Sequence, residues 1–184
     1  MADHHVFPNI GHSAILNQDL NAAIKLIKGS SVAVEFHMNA ATSKQANGIE
    51  TIALPKDKKL AKDLSKAVAD AFGSRLRGDN GWIDQSQSAR GKLGFISNGG
   101  LIVELGFISN EEELFQFNAR YWSAAKAVAM ILIKHEKALK CGLIPSTHPP
   151  YQPSLGAFAY DHPTILHDCM SPLFYFLQHA LTAY

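Results

Sequence analysis

The sequence predicts an α/β fold, a mostly parallel sheet flanked by helices on both faces. Three observations carry this. Two apolar runs, Val32 to His37 and Leu101 to Glu104, have the length and boundaries of buried strands. Two stretches, Asp57 to Phe72 and Asn110 to about residue 138, repeat apolar residues at helical spacing. The order β, β, α, β, β, α that follows from reading the whole chain suits a sheet covered by helices.

Taken in order, Asp19 to Lys28 reads as a helix, with Leu20, Ala23, Ile24 and Ile27 on one stripe and Gly29 as its stop. Ser31 to His37 reads as a strand. Val32, Val34 and Phe36 share one face, and Ala33, Glu35 and His37 share the other, because strand side chains alternate. A polar loop over 40–47 leads to a second strand, Ile49 to Leu54, closed by Pro55. Asp57 is placed to cap a helix that buries Leu60, Leu64, Val68 and Phe72. Residues 73–91, rich in Gly, Ser, Asp and Gln, read as one long loop. Leu93 to Ile96 reads as a short strand, and Asn98-Gly99-Gly100 as the turn into Leu101 to Glu104. Asn110 is an N-cap with Glu113 completing a capping box, and Glu111 and Glu112 suit the positive end of the helix dipole. Leu114, Phe117, Tyr121, Ala125, Val128 and Leu132 mark that helix's buried stripe.

From Leu139 the character changes. Residues 145–172 contain six prolines and few charges, and Ser171 to Tyr184 could form a short apolar helix. The expected organisation is a catalytic unit over 1–138 and a proline-rich arm over 139–184.

Composition narrows the function. At 184 residues the chain is long enough to bury a core, and its net charge of +1 gives no electrostatic case for nucleic acid. No apolar run approaches the ~18 residues of a membrane span. The first twelve residues lack the basic and apolar regions of a secretory signal, so the chain is expected to be cytoplasmic when made. Cys141 and Cys169 form neither a zinc pattern nor a disulfide framework.

The chemistry-bearing residues stand where the strands end. His37 closes the first apolar run and Glu104 the last. In an open sheet, catalytic groups gather just beyond strand carboxyl ends. An imidazole able to bind a metal and a carboxylate able to act as general base make a layout for hydrolysis. Glu35 lies two positions before His37 on the same strand face, where it can be a further metal ligand, the acceptor for a ligand's ring N–H, or a glutamate held only by a salt bridge or hydrogen bond. Histidine on a strand is also compatible with a core residue satisfied by hydrogen bonds.

Four motifs occur in a fixed order: Phe36-His37-Met38-Asn39-Ala40, Gly48-Ile49-Glu50-Thr51, Arg75-Leu76-Arg77-Gly78, and Val103-Glu104-Leu105-Gly106-Phe107-Ile108-Ser109-Asn110. From about Asp19 to His135 the chain resembles zinc-dependent N-acetylmuramoyl-L-alanine amidases of the amidase-3 type, found in cell-wall enzymes and phage endolysins. The resemblance implies Zn2+ as cofactor, peptidoglycan as partner, His37 as a metal ligand and Glu104 as the catalytic base. It also puts Asn39, Arg77 and Asn110 on motif positions. Asn39 would shape the metal loop or touch substrate, Arg77 would tie a loop down, and Asn110 would cap a helix.

The family's early ligands, a histidine in G-H-G-G and a following glutamate, can be placed in two ways. In one, Gly11-His12-Ser13 stands for the motif, His12 is a metal ligand, and Asn17 falls where the glutamate belongs. In the other, Ile15 to Lys28 is the helix preceding H-x-N-A, and both early ligands are absent. Under the second placement His12 is an ordinary loop histidine. The leading expectation is an amidase that reaches the bacterial wall after release by a holin-like route. Missing early ligands would favour the alternative, a non-catalytic relative that binds peptidoglycan or a protein. A serine hydrolase has little support, because Gly11-His12-Ser13-Ala14-Ile15 lacks the last glycine of a G-x-S-x-G elbow and does not follow a convincing strand.

Overall fold

A computed structural model describes residues 20–88 and 91–144. His12, the other N-terminal histidines, Asn17, Cys169 and the expected terminal helix lie outside the described residues.

The elements are α1 (Leu20–Ile27), β1 (Val34–Asn39), β2 (Glu50–Ala53), α2 (Lys58–Phe72), β3 (Trp82–Asp84), α3 (Gly94–Ser97), β4 (Leu101–Phe107) and α4 (Glu111–Lys140). Single 3-10 turns, Pro55–Asp57 and Gln85–Gln87, precede α2 and follow β3. The four strands lie in the order β1-β4-β2-β3. β1 runs parallel to β4, and β2 parallel to β3, while β2 and β4 are antiparallel. Two of the three pairings are therefore parallel, and the two parallel pairs meet head to tail at the centre.

Alternation along the strands divides the core in two. Val34, Phe36 and Met38 of β1, and Leu101, Val103 and Leu105 of β4, face α2 and α4. There they meet Leu60, Leu64, Val68 and Phe72 of α2 and Phe117, Ala124, Val128 and Leu132 of α4. Phe72 and Phe117 join the two helices edge to face, with centroids 6.1 Å apart. Fully burying one such side chain stabilises by about 1.5–3 kcal/mol, so this face supplies most of the fold's apolar stabilisation. The other face is apolar over only half its length. Ile52 and Ile102 pack with Phe95 and Ile96 of α3, bordered by Ile27 and Leu93. The polar remainder of that face holds the site described below.

Four local expectations change. Trp82–Asp84 is a strand inside the supposed loop 73–91; three residues among glycines and polar groups give no periodicity, and only pairing with β2 defines it. Leu93 to Ile96 is not a strand: Gly94–Ser97 is a helical turn. A four-residue apolar run has no period that separates the two, and burial of Phe95 and Ile96 in the second core settles it. Asp57 occupies the N-cap position without bonding to the helix N–H groups; its carboxylate is 3.8 Å from Lys56 Nζ. Asn110 does cap α4, accepting from the Glu113 N–H at 3.1 Å, but Glu113 does not return the bond.

α4 ends at Lys140 in a Schellman closure, in which the Leu143 N–H donates to Ala138 O and the Gly142 N–H to Leu139 O. Among the described residues no helix is long and apolar enough to cross a membrane.

Candidate active site

β1 and β4 place His37 directly opposite Glu104, and β2 places Glu50 opposite Glu104 from the other side. Register partners share a face, so the three side chains form a row across the sheet, on the half not covered by α3. Glu35 and Asn39 flank His37 on the same face of β1. The two sequence-predicted chemical groups, 67 residues apart, are thus cross-strand neighbours.

The row differs in exposure along its length. β1 is the edge strand, and the His37 side chain is 42% exposed. It is half-buried rather than enclosed in the core. Its Nε2 lies 3.2 Å from Glu35 Oε2. Glu104 and Glu50, on the inner strands, are each only 7% exposed.

Burying a carboxylate is costly unless it is paired, and Glu50 is paired tightly. Arg77 Nε donates to Glu50 Oε2 at 2.6 Å, and Asn39 Nδ2 donates to Glu50 Oε1 at 3.2 Å. Arg77 reaches this point because its segment runs alongside the start of β2: the Ile49 N–H donates to Arg75 O and the Arg77 N–H to Ile49 O, both at 2.9 Å. Its guanidinium also stacks 4.9 Å from the centroid of Phe107 and donates to Asn47 O. The expected loop-tying role of Arg77 is present, and with it a second one, holding the Glu50 carboxylate beside Glu104.

Asn39 is committed at both ends of its amide. Its Oδ1 accepts from the Ala40 N–H at 2.9 Å while its Nδ2 binds Glu50. These bonds shape the chain leaving His37. That loop is also tied to the far side of the site, where the Ala41 N–H donates to Ser109 Oγ and Asn110 Nδ2 to Ala46 O.

Two glycines make the motif geometry possible. Gly48 has φ +110, and a Cβ there would sit 2.7 Å from Arg77 Cγ. Gly106 has φ +126, and a Cβ there would sit 3.1 Å from Glu113 Oε2. Gly106 also lies in a bulge: His37 pairs with Glu104 and Asn39 with Phe107, so β4 carries one extra residue between the two pairs. Bulges re-aim strand ends at functional sites.

The residues sequence reasoning underused are Glu50 and Glu113. Glu50 was visible as the acid of Gly48-Ile49-Glu50-Thr51, but its place in the row depends on β2 pairing antiparallel to β4. Glu113 carried the signature of a capping box, which hid its actual partners.

A hydrolytic zinc takes three protein ligands. Among the described residues no three His, Cys, Asp or Glu side chains converge as a metal-holding group. His37 Nε2 and Glu35 Oε2 lie 3.2 Å apart, and His12 lies outside the described residues.

Residues 10–134 match the family model of N-acetylmuramoyl-L-alanine amidases of the amidase-3 type. The chain belongs to this family. Solved structures of similar fold include a protein from Neisseria meningitidis described as an N-acetylmuramoyl-L-alanine amidase, 40% identical, with a TM-score of 0.58 over 68% of this chain and 66% of that one. The catalytic domain of the amidase CwlV from Bacillus (Paenibacillus) polymyxa var. colistinus is 23% identical, with a TM-score of 0.54 over 65% of this chain and 66% of that one. The amidase AmiC2 of Nostoc punctiforme is 15% identical, with a TM-score of 0.50 over 65% of this chain and 67% of that one. The latter two speak to the amidase-3 fold alone. The chain spans 66% of the length of the first two structures. No curated protein matches the chain.

Proposed function

We propose that the chain is a peptidoglycan hydrolase that cleaves the amide between N-acetylmuramic acid and L-alanine, with Zn2+ as its cofactor. The observation that carries this is the cross-strand register of His37 and Glu104 on the half of the sheet that α3 does not cover. Family membership and the 40% identity to the Neisseria meningitidis protein support the same reaction.

His37 would hold the metal from the edge strand, with Glu35 as a further ligand or as the acceptor that orients the imidazole, and His12 as the N-terminal donor. Bound zinc supplies acidity, bringing a water's pKa to about 7 so that it is nucleophilic at neutral pH. The remaining work falls to the chain's own carboxylate. Glu104 accepts the proton of the attacking water at a carboxylate oxygen and delivers it to the nitrogen of the departing L-alanine. Its low exposure limits competing solvent and strengthens its interaction with a charge developing nearby. Glu50, neutralised by Arg77, adds no uncompensated negative charge beside it. Asn39 holds the loop after His37 through its bonds to the Ala40 N–H and to Glu50.

The test combines metal analysis with release of new amino termini from purified peptidoglycan. Wild type is expected to carry zinc and to release termini. His37→Ala should lose both together. Glu104→Gln keeps the shape and should retain zinc, while turnover falls by ~10²–10⁴-fold. A wild-type protein that binds no zinc and releases no termini sinks the enzyme reading and leaves a non-catalytic, peptidoglycan- or protein-binding relative. Full activity in Glu104→Gln would remove the base assignment alone.

A further inference from the structure

The bulge at Gly106 turns the Phe107 N–H toward α4, and Gly48 turns its own N–H the same way. Both meet one side chain. Glu113 Oε2 accepts from the Phe107 N–H at 2.8 Å, and Glu113 Oε1 accepts from the Gly48 N–H at 2.7 Å. Glu113 is 7% exposed, on the first turn of α4, and its own N–H is held by the Asn110 side chain. Charge-assisted bonds of this kind are shorter and roughly twice as strong as neutral ones.

Gly48 lies two residues before Glu50, and Phe107 three residues after Glu104. One carboxylate therefore fastens the start of β2 to the end of β4, the two antiparallel strands that carry the facing pair Glu50 and Glu104. The site has been shaped around this contact. A side chain at position 106 would press on Glu113 Oε2, and one at position 48 would press on Arg77. Local capping of α4 does not require any of this: Asn110 already caps the helix.

We propose that Glu113 is a positioning residue for hydrolysis, clamping the backbone of both acidic motifs so that Glu104 and Glu50 keep a fixed separation. Its catalytic consequence rests on the amidase reading above. A glutamine at 113 keeps one acceptor oxygen but turns an amide N–H toward the second backbone N–H, so one of the two strand ends is released. Misplacing a reacting group by about 1 Å can cost ~10²-fold in rate.

The experiment compares wild type with Glu113→Gln in the full chain. The readouts are the carboxyl 13C resonances of Glu104 and Glu50, and kcat and KM on peptidoglycan per folded molecule. The expected result is movement of both resonances and a fall in kcat of at least about tenfold, with KM changed by less than about twofold. Unmoved resonances overturn the proposal, as does a loss of activity that only follows the folded fraction. Should Glu113→Gln not fold, Glu113→Asp, which keeps the charge and withdraws it by one methylene, decides by the same two readouts. An inactive wild type would count against the amidase reading, and the resonances would still decide whether Glu113 sets the two carboxylates.

Discussion

Removing the Arg77 guanidinium tests how the fold tolerates two buried carboxylates side by side. Arg77→Ala deletes the 2.6 Å bond to Glu50 and the stacking on Phe107, and leaves Glu50, 7% exposed, facing Glu104 without its cation. Breaking a buried ion pair from one side costs ~3–5 kcal/mol. Arg77 is 32% exposed on its side chain, so water can partly replace it and the lower part of that range applies, about 3 kcal/mol. For a domain of this size, that corresponds to a fall in Tm of roughly 10 °C. Chemical denaturation of wild type, Arg77→Ala, Glu50→Gln and the double variant forms a thermodynamic cycle. Most of the cost of Arg77→Ala arises from the carboxylate left behind, so the double variant should be more stable than the sum of the single losses predicts, with a coupling of ~1.5–3 kcal/mol. Additive losses within about 0.5 kcal/mol, or an Arg77→Ala variant as stable as wild type, would refute the account of how Glu50 is accommodated.

Two further outcomes follow from the surface and the helix end. Hydrogen bonds from Lys58 and Lys62 hold Asp79 down at about 2, against an ordinary 3.8. Its contribution to stability is thus fully present above about pH 4 and lost as pH falls through about 2. The stability difference between wild type and Asp79→Asn should shrink over that window in acid denaturation, and a constant difference would refute the contact. Truncation after Leu143 keeps the closing bond to Ala138 O and the whole α4 core stripe, so cooperative thermal unfolding should survive. Its loss would show that the chain beyond α4 is integral to the fold.

The sequence alone determined the elements that bury most and repeat longest. α2 and α4 were legible because Leu60, Leu64, Val68 and Phe72, and Phe117, Val128 and Leu132, recur at helical spacing, and all seven are buried. β1 and β4 were legible as apolar runs, and their parallel pairing puts His37 and Glu104 face to face. The expectation that the two residues end their strands does not hold, because β1 runs on to Asn39 and β4 to Phe107, with Met38, Leu105 and Phe107 continuing the apolar packing. The motif order also identified the family. What the tertiary structure decided is which strand lies against which, and where single polar groups find partners. β2 turns antiparallel to β4 and brings Glu50 into the row, a choice that no local pattern in Glu50–Ala53 encodes. Trp82–Asp84 is a strand and Gly94–Ser97 a helical turn because of what they pack against, since runs of three or four residues carry no period of their own. Glu113 shows the same logic at one side chain: its spacing from Asn110 writes a capping box, yet the β4 bulge offers it a buried N–H from Phe107 and the Gly48 loop offers another. A buried donor left unmade costs more than an exposed helix end, so the carboxylate goes where the folded chain needs it.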